Sequence, residues 1–504
     1  MKWKSLFTAG AVGDTIALGA GALLTLAFAP FNIYPLAIIS TALILGEWLY
    51  VSQQRAFWRG FLYGLGLFGS GVYWVYISIH TFGGAPIWLS GFITLGFVAI
   101  LALFPAITGF FLGRYFPAVN SNKIVLAFPA YWIILEWSRS WAFSGFPWLS
   151  LGYSQMNSWL RGYAPLLSIY GVSLAVLLTS SLLVNCIFLY QQQQNRRVIK
   201  SLLFVIIMWI IGGLVLLVNW SHPFGHPLKI SLVQGNIPQQ VKWSPEAVRP
   251  TLDRYNGLTN NHWDSNIIIW PEGAIPVPLP AATKIVNNLN YEAQLHHATL
   301  ITGIPARAGF SEDYYNTIIT VGQDQTVYIK HRLVPFGEYT PLARYLKRLL
   351  SHFDIPMSNF LPGPANAEQL SASGINISAF ICYEIAFPEQ VNRRIDSGFL
   401  LTVSDDAWFG HSIAQAQHLQ MAQMRSLELA KPLLFVSNDG LTAFINQKGK
   451  ITDIAPPFVP YVLTATIRPY MGATPWQLFG MDPLLLAVTV MLFRAVFNNR
   501  RNRS

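Results

Sequence analysis

Three residues whose types perform acyl-transfer chemistry follow apolar, strand-like runs in the second half of this chain. Glu272 follows Ile-Ile-Ile-Trp-Pro, Lys330 follows Val-Tyr-Ile, and Cys382 follows Ile-Ser-Ala-Phe-Ile. This set matches one mechanism, in which a thiol attacks an acyl carbonyl, a carboxylate takes the thiol proton, and a lysine cation stabilises the oxyanion. If the three strand ends converge at one edge of a sheet, all three side chains reach the same substrate.

Each of these residues also has a plain structural interpretation. A single cysteine in a strand is usually buried for packing, a carboxylate at a strand end is often a helix cap, and an outward-facing lysine is usually solvated. The local sequence argues against these interpretations, because Glu272 lies between Trp-Pro and Gly, a pattern typical of a tight turn. The other cysteine, Cys186, lies in an apolar stretch, so no disulfide scaffold is predicted.

The composition indicates a membrane protein. Of 504 residues, 53% are hydrophobic and only 11% are charged, against roughly 25% charged residues in soluble domains, and the mean hydropathy is +0.39. These values exclude a disordered chain and argue against an ordinary soluble enzyme. Apolar runs of the length that spans a bilayer occur near 8–29, 33–51, 60–80, 87–112, 124–138, 163–190, 201–219 and 478–496.

The distribution of charge predicts how these spans are oriented. Basic residues cluster on every second connection, as the positive-inside rule requires for eight spans with both termini in the cytoplasm. Of the net charge of +10, the predicted cytoplasmic segments carry +13, the large middle segment −1, and the remainder −2. The basic balance therefore indicates topology, not a nucleic-acid partner, and it predicts that the middle segment lies outside the cytoplasm.

Three domains are predicted: a membrane domain of seven helices at 1–221, a soluble domain at 222–475, and a final helix with a basic tail at 476–504. The middle segment holds nearly all the acidic residues, and its short Ile-, Val- and Thr-rich runs alternate with helical stretches such as Ala414–Leu429. This alternation is typical of an α/β domain. A cleaved signal peptide ending at Ala29 is an alternative for the N-terminus, which Pro30 disfavours.

Three carboxylates, Asp14, Glu47 and Glu136, lie in or near predicted spans. A carboxylate inside a membrane is expensive to bury and often functional. The favoured interpretation is that these three lie near helix ends and reach the membrane interface.

The motifs around the three chemistry-bearing residues resemble those of a known superfamily. Glu272 in Trp-Pro-Glu, Lys330 before Val-Pro-Phe-Gly-Glu, and Cys382 in Cys-Tyr-Glu resemble, in order and spacing, the Glu–Lys–Cys triad of the nitrilase (carbon–nitrogen hydrolase) superfamily. Carried over by motif, Glu272 is the general base, Lys330 the oxyanion cation and Cys382 the nucleophile. Five further residues are implied to support or border the site: Glu338 beside the base and lysine, Tyr383 and Glu384 along the site, and Trp243 and Trp408 at the substrate mouth.

A nitrilase-like domain between seven N-terminal spans and one C-terminal span resembles the apolipoprotein N-acyltransferase family of the bacterial inner (cytoplasmic) membrane. Val233–Gln239 is similar to that family's opening strand, and Ser404–Gly410 to its segment after the nucleophile. The resemblance implies a multi-pass α-helical membrane domain of about eight transmembrane helices and a periplasmic nitrilase-like αββα sandwich.

The resemblance also implies the reaction. Cys382 takes the sn-1 acyl chain of a phospholipid, typically phosphatidylethanolamine, as a thioester. The α-amine of a diacylglyceryl-cysteine lipoprotein then accepts this chain. The partners implied are therefore a phospholipid donor, a diacylated lipoprotein and the membrane. No cofactor is expected, and the ten histidines contain no zinc signature, so no metal is predicted.

Two segments are predicted to meet lipid. Apolar residues at helical spacing within 340–363 predict a basic amphipathic helix, either a membrane-facing lid or a helix packed on its own domain: Leu342, Tyr345, Leu346, Leu349, Leu350 and Phe353. The loop Trp137–Trp159 is rich in tryptophan, which is typical of a membrane interface.

Three other functions stay open at this point. A membrane-anchored amidase would use the same triad with water as the acceptor. A transporter with an accessory domain would need broken spans and paired charges within the membrane. A Cys–His hydrolase would use His331 or His411 as the base.

Overall fold

The computed structural model describes residues 10–309, 311, 313–339, 359–364, 369–392 and 396–501. The chain divides into two compact units. The first, here the helical unit, comprises Met1–Tyr76, Trp88–Asn219 and Leu478–Ser504. The second, here the α/β unit, comprises Ile77–Ile87 and Trp220–Gln477. The short segment Ile77–Ile87 thus belongs with a domain that begins far downstream in the sequence, which the sequence did not predict.

The first part of the chain forms apolar helices. They are α1 (Gly10–Thr25), α2 (Pro35–Leu49), α3 (Gln53–Gly71), α4 (Trp74–Ile77), α5 (Ile87–Tyr115), α6 (Phe128–Ser138), α7 (Ala164–Gln191) and α8 (Asn195–Val215). Single π-helical turns lie at Ser78–Phe82 and Lys123–Ala127.

The α/β unit follows with alternating strands and helices. They are β1 (Ser221–Pro223), β2 (Leu228–Gln234), α9 (Pro245–Thr259), β3 (Ile267–Ile269), α10 (Thr283–Leu295), β4 (Thr299–Arg307), β5 (Tyr314–Gly322), β6 (Val327–Ile329), β7 (Leu370–Ala372), β8 (Ile375–Ile381), α11 (Pro388–Val391), β9 (Phe399–Ser404), α12 (Ala414–Leu429), β10 (Leu433–Ser437), β11 (Ala443–Ile445), β12 (Ile451–Ile454), β13 (Tyr461–Ile467) and β14 (Tyr470–Gly472). The described chain ends with α13 (Pro475–Phe479) and α14 (Asp482–Arg501).

Four of the described helical segments are long and apolar enough to cross a bilayer: Ile87–Tyr115, Trp159–Gln191, Asn195–Val215 and Asp482–Asn499. The pair Gln53–Gly71 and Trp74–Phe82, bent by 53°, makes five if it counts as one span. The sequence predicted eight. The difference arises because, within the described residues, α1 and α2 have 16 and 15 residues and α6 has 11, which is short for a span.

One pair of predicted interfacial carboxylates forms an ion-pair network between α1, α2 and α3. Glu47 Oε2 lies 2.5 Å from Arg59 Nη1, and both side chains are fully buried. Asp14 lies 2.7 Å from Arg55 and 3.4 Å from Arg59. The prediction that Glu47 reaches the interface is therefore wrong, because Arg59 compensates its charge inside the helical unit.

The prediction is also wrong for Glu136, which is buried between α6 and α7. Its carboxylate accepts hydrogen bonds from the Ser173 hydroxyl at 2.5 Å and from the Leu151 N–H at 2.9 Å. These donors offset the cost of removing the carboxylate from water. Glu136 thereby joins the Trp-rich loop to two helices.

The core of the α/β unit is two facing six-stranded sheets. Their strand orders are β13-β2-β3-β4-β5-β6 and β12-β11-β10-β9-β8-β7. The strands β2, β3 and β4 run parallel, as do β8, β9 and β10. Parallel strands are buried on both faces, which explains their continuous apolar runs.

The isoleucines of β3 show how the layers form. Ile267 and Ile269 pack into the core that both sheets share, whereas Ile268 packs into a second core with Tyr255 of α9 and Leu289 of α10. Successive side chains of a strand point to opposite faces, so one strand serves both cores. Helix α12 packs against β10 on the other sheet. The result is a helix–sheet–sheet–helix sandwich, and the prediction of an α/β domain is confirmed.

Candidate active site

Each of the three predicted residues lies just beyond the end of a strand: Glu272 after β3, Lys330 after β6 and Cys382 after β8. Lys330 Nζ lies 3.5 Å from Glu272 Oε1, and both charged groups act on the Cys382 thiol. The structure thus brings the three together. It does so across two facing sheets, because β3 and β6 belong to one sheet and β8 to the other. The expectation that they share one sheet edge is wrong.

The ammonium group of Lys330 is buried between two carboxylates. Its Nζ lies 2.9 Å from Glu338 Oε1 and 3.5 Å from Glu272 Oε1. Burial by itself lowers the pKa of Lys330, but Glu338 and Glu272 outweigh that effect, so the pKa lies above the ordinary value. The side chain is therefore a cation throughout the physiological range, as stabilisation of an oxyanion requires.

Asn316 of β5 bridges the same two carboxylates. Its Nδ2 donates to Glu272 Oε1 at 2.7 Å and to Glu338 Oε1 at 2.8 Å. The other oxygen of Glu338 accepts the N–H of Val334 at 2.8 Å. Two carboxylates this close repel each other, and the amide and the ammonium between them offset that repulsion. Glu338 thus lies beside Glu272 and Lys330, as the resemblance implied.

The turn that carries Glu272 is tightly packed. Gly273 follows it at φ +59°, a conformation that favours glycine. Gly303 of β4 lies directly underneath, where an added Cβ would come within 2.8 Å of the Glu272 Cα. On the opposite side, Glu272 Oε2 accepts the N–H of Asp405 at 3.0 Å. The backbone of the turn is therefore fixed by Gly303, and the carboxylate is held by the main chain that follows β9.

Cys382 occupies a strained turn. Its φ of +52° is unusual for a residue other than glycine, and it begins a 3₁₀ turn, Cys382–Ala386. Such strain is found at functional sites, where the surrounding structure maintains it. Burial raises the pKa of the Cys382 thiol well above its usual value, Glu272 raises it further, and Lys330 opposes them. The thiol is therefore neutral at physiological pH and needs a base to become a nucleophile.

Glu384 lies behind the site. Its Oε1 accepts the N–H groups of His331 and Arg332 at 2.8 and 3.0 Å. Its Oε2 accepts the Tyr328 hydroxyl and the Ile381 N–H, both at 2.8 Å. This fully buried carboxylate ties the end of β6 to the end of β8. The geometry indicates that Glu384 holds these two strand ends in position, whereas the resemblance implied that it lines the site.

Aromatic side chains border the site. The Trp408 ring meets Phe82 edge-on at 6.0 Å, and the Trp408 carbonyl accepts the Ser78 hydroxyl at 2.8 Å. Trp243 lies against Gly273, next to Glu272, and Tyr383 packs edge-on against a phenylalanine at 4.9 Å. The contacts of Ser78 and Phe82 explain why the segment Ile77–Ile87 belongs to the α/β unit.

Both halves of the chain match known families. Residues 20–182 match the apolipoprotein N-acyltransferase N-terminal domain, and residues 229–475 match carbon-nitrogen hydrolase. An apolipoprotein N-acyltransferase of Coxiella burnetii is 41% identical over 485 residues, which cover 95% of this chain and 99% of the relative. This chain belongs to the apolipoprotein N-acyltransferases.

Two further members of the family are similar along nearly their whole length. The one from Photobacterium profundum is 41% identical over 96% of this chain and 94% of its own. The one from Pseudomonas paraeruginosa is 39% identical over 99% of this chain and 98% of its own. The resemblance inferred from the motifs is confirmed. The chain is an acyltransferase with a carbon–nitrogen hydrolase catalytic domain.

The contacts of His331, His411 and His418 do not favour a Cys–His mechanism. The His331 ring bonds a backbone carbonyl through Nδ1 at 2.7 Å, and the His411 ring stacks on a phenylalanine at 3.9 Å. His418 binds the Cys382 carbonyl through Nε2 at 3.1 Å and Asp406 through Nδ1 at 3.0 Å. Burial lowers the pKa of His418, but Asp406 outweighs it, so the pKa is raised. This histidine supports the strained turn through the backbone.

Sequence reasoning missed several residues of the site. Asn316 gave one signal, a lone amide in a strand of β-branched and aromatic residues, whereas no local pattern separates Lys242 from a solvated lysine. Nothing in the sequence connects His418 on α12 to Cys382, because only the fold brings them together. The predicted basic amphipathic helix, including Arg344, Lys347 and Arg348, lies outside the described residues.

The tryptophans of the loop Trp137–Trp159 differ in exposure. Trp141 and Trp159 are more than half exposed, whereas Trp148 is buried. Within the ranges that the structure describes, no group of three or more His, Cys, Asp or Glu side chains is arranged to hold a metal ion. The absence of a metal cofactor stays a prediction.

Proposed function

We propose that this acyltransferase moves the sn-1 acyl chain of a membrane phospholipid, such as phosphatidylethanolamine, to the α-amine of a diacylglyceryl-cysteine lipoprotein. The observation that supports this most directly is the grouping of Glu272, Lys330 and Cys382 at three strand ends. They lie in a chain that is similar along nearly its full length to apolipoprotein N-acyltransferases.

In the first step, the Cys382 thiol attacks the ester carbonyl while Glu272 takes its proton. Lys330 stabilises the oxyanion of the tetrahedral intermediate. The intermediate then collapses and expels the lysophospholipid alkoxide, which takes the proton from Glu272. The acyl chain is left on Cys382 as a thioester, and Glu272 is again a carboxylate.

In the second step, the lipoprotein amine attacks the thioester carbonyl. Glu272 accepts the amine proton, Lys330 stabilises the second oxyanion, and the Cys382 thiolate leaves and takes the proton back. The product is an amide, and the free enzyme is restored. Glu338 and Asn316 keep Glu272 and Lys330 in place through both steps.

The membrane provides both substrates. We infer that eight spans place the domain at 222–475 in the periplasm, between the membrane domain at 1–221 and the final helix and tail at 476–504. A phospholipid donor needs neither ATP nor acyl-CoA, which are cytoplasmic. A mouth bordered by Trp243, Trp408 and Tyr383 limits the access of water, which would hydrolyse the thioester.

The amidase alternative uses the same three residues but transfers the acyl group to water. The apolar helices favour the lipid reaction, because a hydrolase of soluble amides has no need of them. The transporter alternative has less support, because the chain is similar along nearly its full length to apolipoprotein N-acyltransferases.

The test is to incubate the purified protein with a phospholipid labelled in its sn-1 chain. We expect hydroxylamine-sensitive label on the wild type and on Cys186→Ala, and none on Cys382→Ala. A diacylglyceryl peptide with a free amine should remove the label, and its N-acetylated form should not. Label on Cys382→Ala, or no label on the wild type, would refute the mechanism. If the labelled acyl chain were released into water as fast without the peptide as with it, the result would favour the amidase.

A further inference from the structure

A second buried ion pair lies next to Glu272. Lys242 Nζ is 2.5 Å from Asp405 Oδ2, with the lysine fully buried and the aspartate 6% exposed. Lys242 precedes Trp243 in the loop after β2, and Asp405 follows β9. The nitrilase-type mechanism described above uses neither residue. A buried ion pair is costly to desolvate, so its position calls for an explanation.

Both members of the pair contact Glu272 directly. Lys242 Nζ donates a hydrogen bond to the Glu272 main-chain carbonyl at 2.9 Å. The Asp405 N–H donates to Glu272 Oε2 at 3.0 Å. One partner therefore holds the backbone of the general base, and the other holds its carboxylate. The pair contacts Oε2 and the main-chain carbonyl of Glu272, whereas Lys330 and Asn316 contact Oε1.

The rest of the Asp405 carboxylate is also bonded. Asn438 Nδ2 donates to Oδ1 at 3.0 Å. With its amide oriented to suit its neighbours, Gln239 donates to Oδ2 at 2.9 Å and accepts from Trp408 Nε1 at 3.2 Å. The pair is thus part of a hydrogen-bonded network that reaches the aromatic mouth.

The charges around the base explain what Lys242 adds. The titratable and charged groups that face Glu272 are Lys330, Glu338, Lys242, Asp405, the neutral Cys382 thiol and His418, whose ring is paired with Asp406. With Lys242 present, the two cations Lys330 and Lys242 compensate two of three carboxylates, which are Glu272, Glu338 and Asp405. Without it, Asp405 would add an uncompensated negative charge, and Glu272 would hold a proton more tightly.

We propose that Lys242 is a positioning residue for Glu272: it neutralises Asp405 and holds the Glu272 carbonyl, so that Glu272 remains the group that takes the Cys382 proton. This inference depends on the proposed function only in its use of Glu272 as the base. It assigns the loop after β2 a role in proton transfer as well as at the substrate mouth.

The test measures the alkylation of Cys382 by iodoacetamide against pH, in a Cys186→Ala background where Cys382 is the sole cysteine. When Cys382 passes its proton to Glu272, the number of protons on the two residues together does not change. The fraction of this thiolate form is therefore independent of pH as long as the pair holds one proton. On the acid side, the rate therefore falls where the Glu272–Cys382 pair takes up a second proton, and this fall is the acid limb of the profile. We expect Lys242→Met to move this acid limb upward by about one pH unit.

The double variant Lys242→Met/Asp405→Asn removes both charges and should return the limb toward that of the wild type. Asp405→Asn alone leaves Lys242 as an extra cation, so the limb should move downward. Because Asp405→Asn should move the limb in the opposite direction, it tests the inference even if Lys242→Met does not fold. A lysine that only supports the fold would give a lower rate with an unmoved limb, and the double variant would be no better than the single one.

The exposed pair Lys229–Asp264 on the same domain provides the matched control. Lys229→Met should leave the limb unchanged. An unmoved limb in both Lys242→Met and Asp405→Asn would overturn the inference. The two proposals can fail separately: if the phospholipid label fails to appear while the alkylation limbs move as described, the acyl donor is wrong and the role of Lys242 stands.

Discussion

Both units of this molecule bury ionised side chains, but they balance them differently. In the helical unit, two guanidinium groups match two carboxylates. Arg59 pairs with Glu47 at 2.5 Å and approaches Asp14, which Arg55 binds at 2.7 Å. Every charge in this set has an opposite charge, and no proton needs to move.

The site in the α/β unit is unbalanced by comparison. Lys330 faces two carboxylates, Glu272 and Glu338, and a neutral thiol lies beside them. One carboxylate is therefore available to exchange a proton with Cys382. The contrast indicates that the balance of positive and negative charge in a buried cluster, more than its degree of burial, distinguishes a structural cluster from a reactive one.

The largest expected effect follows from removing Glu272, the proposed base. Glu272→Gln keeps the shape of the side chain but cannot accept the thiol proton. Formation of the acyl-enzyme should slow by about 10²–10⁴-fold, measured as the rate of labelling by the sn-1-labelled phospholipid. The exposed Glu292→Gln on α10 is the control and should behave like the wild type. A Glu272→Gln protein with normal labelling would mean that another group is the base.

Removing the cation should have the next largest effect. Lys330→Met leaves the oxyanion without its charged donor, and labelling should slow by about 10²–10³-fold. Lys284→Met, at an exposed position of α10, provides the comparison. If Lys330→Met lost its fold but no activity per folded molecule, the lysine would belong with the structural ion pairs of the helical unit.

The neutral thiol predicts a distinct pH response. Because burial and Glu272 raise the pKa of Cys382, the thiolate fraction at neutral pH is small and grows as the pH rises toward the raised pKa. Alkylation at pH 7.5 should be at least about tenfold slower than that of a free thiol, and it should increase further above pH 9. Mass spectrometry of the Cys186→Ala protein measures it. Fast alkylation at neutral pH would indicate a preformed thiolate.

Changes to the ion pairs of the helical unit should have the smallest effect on the rate of labelling. Arg59→Met leaves Glu47 buried and unpaired, which should lower the free energy of unfolding by about 3–5 kcal/mol. The half-exposed Arg55→Met should lower it by less than about 1 kcal/mol. Thermal unfolding in detergent measures both, and the labelling rate per folded molecule should not change. A slower rate in folded Arg59→Met would show that the two sets of charges are coupled.

Much of the α/β unit follows from local patterns in the sequence. The predicted helix Ala414–Leu429 has the bounds that the structure gives it, and the turn after Gly322 joins two antiparallel strands. Hydrophobic periodicity and turn residues act over short distances, so a sequence reveals them. The motif residues Glu272, Lys330 and Cys382 were found for the same reason, since each follows a recognisable strand.

The parts that were missed depend on contacts distant in sequence. Whether Glu47 reaches the interface depends on Arg59 of another helix, and the role of Lys242 depends on Asp405, which lies 163 positions away. Hydropathy likewise gives the length of an apolar run but not where the helix breaks, as the 53° bend after Gly71 illustrates. No local pattern predicts which distant partner compensates a charge.

The segment Ile77–Ile87 has a consequence for how the protein is made. It leaves the ribosome more than a hundred residues before the strands of the α/β unit, yet Ser78 and Phe82 complete the surroundings of Trp408. A fragment consisting of Trp220–Gln477 alone would lack that wall and expose the tryptophan ring. The catalytic domain is therefore not encoded by one continuous segment: the surroundings of Trp408 are complete only when Ile77–Ile87 has packed against Trp220–Gln477.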